Sequence, residues 1–145
     1  MSIAQTSPAE AKEGLDADAG AVYLDVRTEA EFAAGHPEGA VNIPVAFQSP
    51  AGGMMPNPDF QAVAERVLNR ETQIYCGCQS GVRSQYAAEM LERAGYSNVA
   101  NVVGGFGGKV NPGTGTVEVA GWRDSGLPVS TQVTQQNSYD GQKGC

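Results

Sequence analysis

A seven-residue segment, Cys78-Gln79-Ser80-Gly81-Val82-Arg83-Ser84, constrains this chain more than any other stretch. It follows a short β-like run, Thr72-Gln73-Ile74-Tyr75-Cys76, and opens a helical pattern in which Ala87, Met90, Leu91 and Ala94 recur at i, i+3, i+4 and i+7. A cysteine at a strand-to-helix junction sits where free backbone N–H groups and the positive end of the helix dipole converge. Such a place favours thiolate over thiol and can hold an anion beside the sulfur. Arg83 adds a fixed positive charge and a planar fork of donors for oxyanions. Cys78 is therefore the candidate nucleophile, with Gln79, Ser80, Gly81, Val82, Arg83 and Ser84 as its anion-binding loop. The competing reading is a buried cysteine at a helix cap, with Gly81 serving only the turn.

The pattern around this segment alternates strands with helices. Ser7, Pro8 and Glu10 form a capping box with proline at the first helical position, and Thr28 with Glu31 forms a second, whose short helix stops at Gly35. Residues 21–26, 40–43 and 99–103 read as apolar strands. Asn57 and Pro58 start an amphipathic helix that carries Phe60, Val63, Ala64, Val67 and Leu68 on one face. This alternation predicts an α/β fold with a mostly parallel sheet covered on both faces. Such sheets bind ligands at the carboxyl ends of their strands, where Cys78 falls. By composition, residues 49–57 read as a loop. Residues 104–115, with six glycines and Lys109, read as a mobile loop, and residues 131–145 as a polar flexible tail.

At 145 residues the chain is expected to form one domain, and 41% hydrophobic with 17% charged residues fits a soluble globular protein. Its start has neither basic residues nor an apolar core, so no signal peptide is expected, nor any membrane span. The net charge of −7 argues against nucleic-acid or membrane partners, while a local cluster of amides with an arginine still suits a small anion. Three cysteines, at 76, 78 and 145, and a single histidine, His36, argue against a disulfide scaffold and a zinc site. Reduced thiols in the cytoplasm, with no metal or cofactor, are the expectation.

Taken together, three motifs resemble the rhodanese domain. Leu24-Asp25-Val26-Arg27, Glu31-Phe32, Gly35-His36 and Gly39-Ala40-Val41-Asn42-Ile43-Pro44 are similar to its N-terminal signature. Cys78 to Ser84 resembles its active-site loop, and Gly104-Gly105 with Gly121-Trp122-Arg123-Asp124-Ser125-Gly126-Leu127-Pro128-Val129 its C-terminal signature. The resemblance runs from about residue 5 to residue 130, so a single domain over 1–130 followed by the tail is expected, with likeness to single-domain sulfurtransferases of bacteria and plants. One departure is a glycine-rich insertion at about 106–120, where typical members bring tryptophan within a few residues of the Gly-Gly pair.

The resemblance implies a rhodanese-like fold with a central five-stranded parallel sheet, helices on both faces, and sulfur transfer through a cysteine persulfide. Cys78 would take sulfur from thiosulfate, a small anionic donor, and pass it to cyanide, a thiol or a protein acceptor. Loop N–H groups would stabilise both sulfur anions. Arg83 has two readings: holding the donor's sulfonate, or pinning the loop by pairing with a carboxylate. Ser80 and Ser84 could bond substrate or cap the helix. Asp25 with Arg27 reads as a structural ion pair, His36 and Trp122 as packing residues, and Cys76 as a buried thiol. Lys109 and Cys145 are accessory candidates, Cys145 as a sulfur relay on the tail or as a bystander. Two other readings stand beside this one. One is a persulfide sulfur carrier or partner-binding module without turnover; the other is a phosphatase or arsenate reductase, whose loops run Cys-x5-Arg rather than the Cys-x4-Arg found here.

Overall fold

The computed structural model describes residues 3–143. The elements run β1 (Ala4–Thr6), α1 (Pro8–Ala17), β2 (Val22–Asp25), α2 (Glu29–Ala34), β3 (His36–Pro37), β4 (Val41–Asn42), β5 (Ala46–Gln48), β6 (Met54–Pro56) and α3 (Phe60–Val67). They continue with β7 (Ile74–Gly77), α4 (Val82–Arg93), β8 (Val99–Val102), β9 (Lys109–Val110), β10 (Val117–Val119), a 3-10 turn (Arg123–Ser125), β11 (Val129–Ser130) and α5 (Tyr139–Lys143).

Five strands form one parallel sheet in the order β1-β8-β7-β2-β4. With β7 at its centre, the carboxyl end of that strand is flanked by neighbours on both sides, and Cys78 follows it directly. Side chains alternate across the sheet. Leu24, Ile74 and Cys76 enter one buried cluster with Phe60, Val63, Ala87 and Leu91; Tyr23 enters the other with Phe32, Val102, Phe106 and Trp122. Both expected capping boxes form: Ser7 Oγ accepts from the Glu10 N–H, and Thr28 Oγ1 from the Glu31 N–H.

Four local expectations change. The fifth strand is β1, a three-residue edge segment. The stretch expected as a loop at 49–57 contains β6, which pairs antiparallel with β5 through Phe47 and Met55. Helix α3 begins at Phe60 rather than at Asn57, because the Asn57 side chain is buried and donates to the Pro44 carbonyl while accepting from the Asp59 N–H. The glycine-rich insertion is not a free loop but a hairpin, β9–β10, paired through Val110 and Val117.

The segment after residue 130, expected as a polar flexible tail, packs against the domain as far as residue 143. Tyr139 is buried at 4% exposure against Phe47, and its hydroxyl accepts from Asn57 Nδ2 at 3.1 Å. The Asn42 N–H donates to the Asn137 carbonyl, so the segment also ties to the sheet edge. One aromatic anchor in a polar run supplies the apolar burial that average composition conceals. Among the described residues no helix is long and apolar enough to cross a membrane.

Candidate active site

The site is built mainly by backbone. Gly81 adopts φ +112°, a left-handed conformation that turns the chain sharply into α4 and that other residues rarely adopt. This brings the Gly81 N–H to 3.1 Å from Cys78 Sγ, while Ser84 Oγ lies at 3.5 Å. Cys78 is 2% exposed and Ser84 is fully buried.

The outward carbonyls of the loop are held by the glycine-rich segment that follows β8. Phe106 N–H donates to the Cys78 carbonyl at 2.7 Å, Gly107 N–H to Gln79 at 2.9 Å, and Gly104 N–H to Ser80 at 3.2 Å. A peptide plane is rigid, so fixing each carbonyl aims the next N–H the opposite way. At Gly105 a side-chain carbon would strike the Cys78 carbonyl, so the strap approaches this closely only with glycine there. Trp122 N–H then secures the strap by donating to the Gly105 carbonyl at 2.8 Å.

Arg83 is committed. Its two terminal nitrogens donate to the two carboxylate oxygens of Glu31, at 2.8 and 3.0 Å. Burial alone would raise the Glu31 carboxyl, but the hydrogen bonds from Arg83 and from Thr28 outweigh it and bring it down to about 2. Of the two partners considered for Arg83, a sulfonate and a carboxylate, the folded chain supplies a carboxylate. Asp25 and Arg27 form a buried bidentate pair, and Arg27 also donates to the Gly35 carbonyl and stacks 4.5 Å over the Phe106 ring. His36 packs, stacked on Phe32 at 3.7 Å with Nδ1 on the Phe32 carbonyl. Trp122 is buried edge-on to Tyr23. Burial raises the Cys76 thiol far above its usual range, a second push coming from Cys78, so Cys76 is a poor nucleophile.

Lys109 lines a cleft of about 350 Å³ beside the loop with Ser80, Gly81, Val82, Gln85, Asn101 and Gln5, and its ammonium lies 3.9 Å from Glu118. Gln79 lines a second cleft on the other side, with Arg27, Glu31, Phe106 and Arg123. Val82 points to solvent at 77% exposure. Cys145 lies outside the described residues. Sequence reasoning passed over Glu31 as the partner of Arg83, the strap, and Asn101, which accepts from Ser84 at 2.6 Å. A polar residue inside the apolar run 99–103 was the available signal for Asn101.

Residues 7–109 match the family model of the rhodanese-like domain. The chain is 39% identical over 110 residues to thiosulfate sulfurtransferase 16, chloroplastic, of Arabidopsis thaliana, covering 76% of this chain and 80% of that one. It is 37% identical over 118 residues to thiosulfate sulfurtransferase 18 of the same plant, covering 80% and 76%. Its fold superposes on the crystal structure of Rv0390 from M. tuberculosis with a TM-score of 0.74 at 30% identity, covering 91% of this chain and all of the other.

Proposed function

The chain belongs to the rhodanese family, and on that footing we propose that it is a sulfurtransferase that carries sulfane sulfur on Cys78, taking it from thiosulfate or a related donor. The Cys78 thiolate attacks the outer sulfur of thiosulfate; the S–S bond of the donor breaks, and sulfite leaves with the electron pair. The outer sulfur of the resulting Cys78 persulfide is then attacked by cyanide or a thiol, which regenerates the thiolate. Lowering the barrier to each step requires only that an anion be stabilised first on one sulfur and then on the next.

The observation that carries this reading is the Gly81 N–H donating to Cys78 Sγ within a loop whose carbonyls are tied outward. The relatives named thiosulfate sulfurtransferase support the choice of donor. The commitment of Arg83 to Glu31 further favours a single sulfur atom in the cradle over a tetrahedral oxyanion needing a free guanidinium fork. We place it in a reducing compartment such as the cytoplasm, where the Cys78 thiol stays free for transfer. Incubation with thiosulfate followed by intact mass measurement should show one added sulfur, lost on addition of cyanide or a thiol with formation of the corresponding product at many turnovers. A mass that never increases would overturn the reading.

A further inference from the structure

Behind the cysteine loop, a chain of polar side chains runs from the sulfur through Ser84 to residues outside the loop and on to the surface. Ser84 Oγ lies 3.5 Å from Cys78 Sγ and donates to Asn101 Oδ1 at 2.6 Å. Asn101 Nδ2 donates to Gln5 Oε1 at 3.0 Å and to the Gly81 carbonyl at 3.2 Å. Gln5 Nε2 donates in turn to Gln85 Oε1 at 2.7 Å. Ser84 is fully buried and Asn101 is 4% exposed, so bulk water does not stand in for either partner.

A hydroxyl has one proton to donate. Asn101 Oδ1 at 2.6 Å and Cys78 Sγ at 3.5 Å compete for it, and the shorter contact holds it. A thiolate or persulfide anion needs the reverse, a donor from Ser84. A carboxamide has the same shape either way round, with donor and acceptor exchanged. If Asn101 turns its Nδ2 toward Ser84, the serine proton is released to the sulfur, and Gln5, turning with it, supplies the donor that Asn101 Oδ1 has lost. The Gly81 carbonyl keeps the Gln85 N–H at 3.3 Å, but the turn sets Asn101 Oδ1 beside it and takes Gln5 Nε2 from the Ile3 carbonyl at 3.2 Å and from Gln85 Oε1, so the turned state is the costlier one until the sulfur carries a charge.

We propose that Asn101 and Gln5 form an amide switch that sets the direction of the Ser84 hydroxyl, making it an acceptor for the Cys78 thiol and a donor for its anionic forms. Both are positioning residues that act through Ser84. The proposal rests on Cys78 being the reacting sulfur of the proposed function.

The test reads alkylation of Cys78 by iodoacetamide in a Cys76→Ser, Cys145→Ser background. This neutral reagent reports the thiolate without any sulfur transfer. Asn101→Asp preserves the shape but can only accept, so it holds the serine proton away from the sulfur; alkylation is expected to slow roughly tenfold or more, the scale of a hydrogen bond to a charged group. Asn101→Leu removes the shape and the acceptor together, and is expected to slow the reaction less than aspartate does. Gln5→Glu, at the exposed end, should fix Asn101 in its present orientation and slow alkylation in the same direction. It decides the question if Asn101→Asp does not fold by circular dichroism. In a Ser84→Ala background both acidic substitutions should lose their effect. Parental rates in the acidic variants, equal slowing by aspartate and leucine, or undiminished effects without Ser84 would overturn the switch, the last by showing plain charge repulsion. If the parent forms no persulfide from thiosulfate while the alkylation order holds, the sulfur-transfer reading falls and the switch stands.

Discussion

Arg83 and Glu31, 52 residues apart, meet in a two-pronged ion pair, and the same carboxylate accepts the Thr28 N–H at the start of α2. The first turn of α4, which begins at the cysteine loop, is thereby yoked to the first turn of α2. A shift of either helix start therefore moves the Arg83 end of the cysteine loop.

The ion pair makes stability depend on pH in a defined window. Glu31 ionises near 2 in the folded chain, against about 4.5 ordinarily, so its contribution is fully present above about 4.5 and is lost as pH falls toward 2. Urea midpoints recorded across that range should fall for the parent and fall less for Glu31→Gln. Identical slopes for the two proteins would show that the pair adds nothing.

Cys78→Ser should abolish thiosulfate:cyanide sulfur transfer while leaving the circular dichroism spectrum unchanged. Cys76→Ser should retain most turnover with some loss of stability, because it places a hydroxyl in a fully buried apolar site. Comparable activity in the two variants would misassign the nucleophile.

Tyr23 carries the one buried side-chain polar atom among the described residues that lacks a hydrogen-bond partner. Tyr23→Phe removes that hydroxyl and keeps the edge contact with Trp122 at 5.3 Å between ring centres. It should stabilise the fold by about 1 kcal/mol, seen as a higher urea midpoint with an unchanged slope. A lower midpoint would mean that the hydroxyl has a partner.

The end of the described chain should behave as part of the core. Tyr139→Ala removes a ring packed on Phe47 and the hydroxyl that receives Asn57 Nδ2, and should cost about 3 kcal/mol of unfolding free energy. An effect near zero in denaturant titration would return this segment to the status of a loose tail.

Local chemistry was legible in the sequence, and distant pairing was not. The capping boxes at Ser7 and Thr28, the apolar strands and the turn at Gly81 depend on neighbours within a few residues, so pattern alone identifies them. β1 escaped because three residues at a sheet edge are too few to show a period. The hairpin at Lys109–Val110 and Val117–Val119 was masked by glycines, which weaken the strand signal. For Arg83, the sequence offered a sulfonate or a carboxylate as partner, and only the folded chain brings Glu31 within reach.

The strap of residues 104–108 divides labour within the loop it holds. Because main-chain groups fix the direction of the loop peptides, the side chains of Gln79 and Val82 are not needed to build the cradle, and each borders one of the two clefts. Under the proposed sulfur transfer, substitutions there would reshape the cleft walls and leave the backbone around Cys78 in place. The loop is thus held by main-chain bonds and bordered by side chains, and the division between frame and wall runs between backbone and side chain.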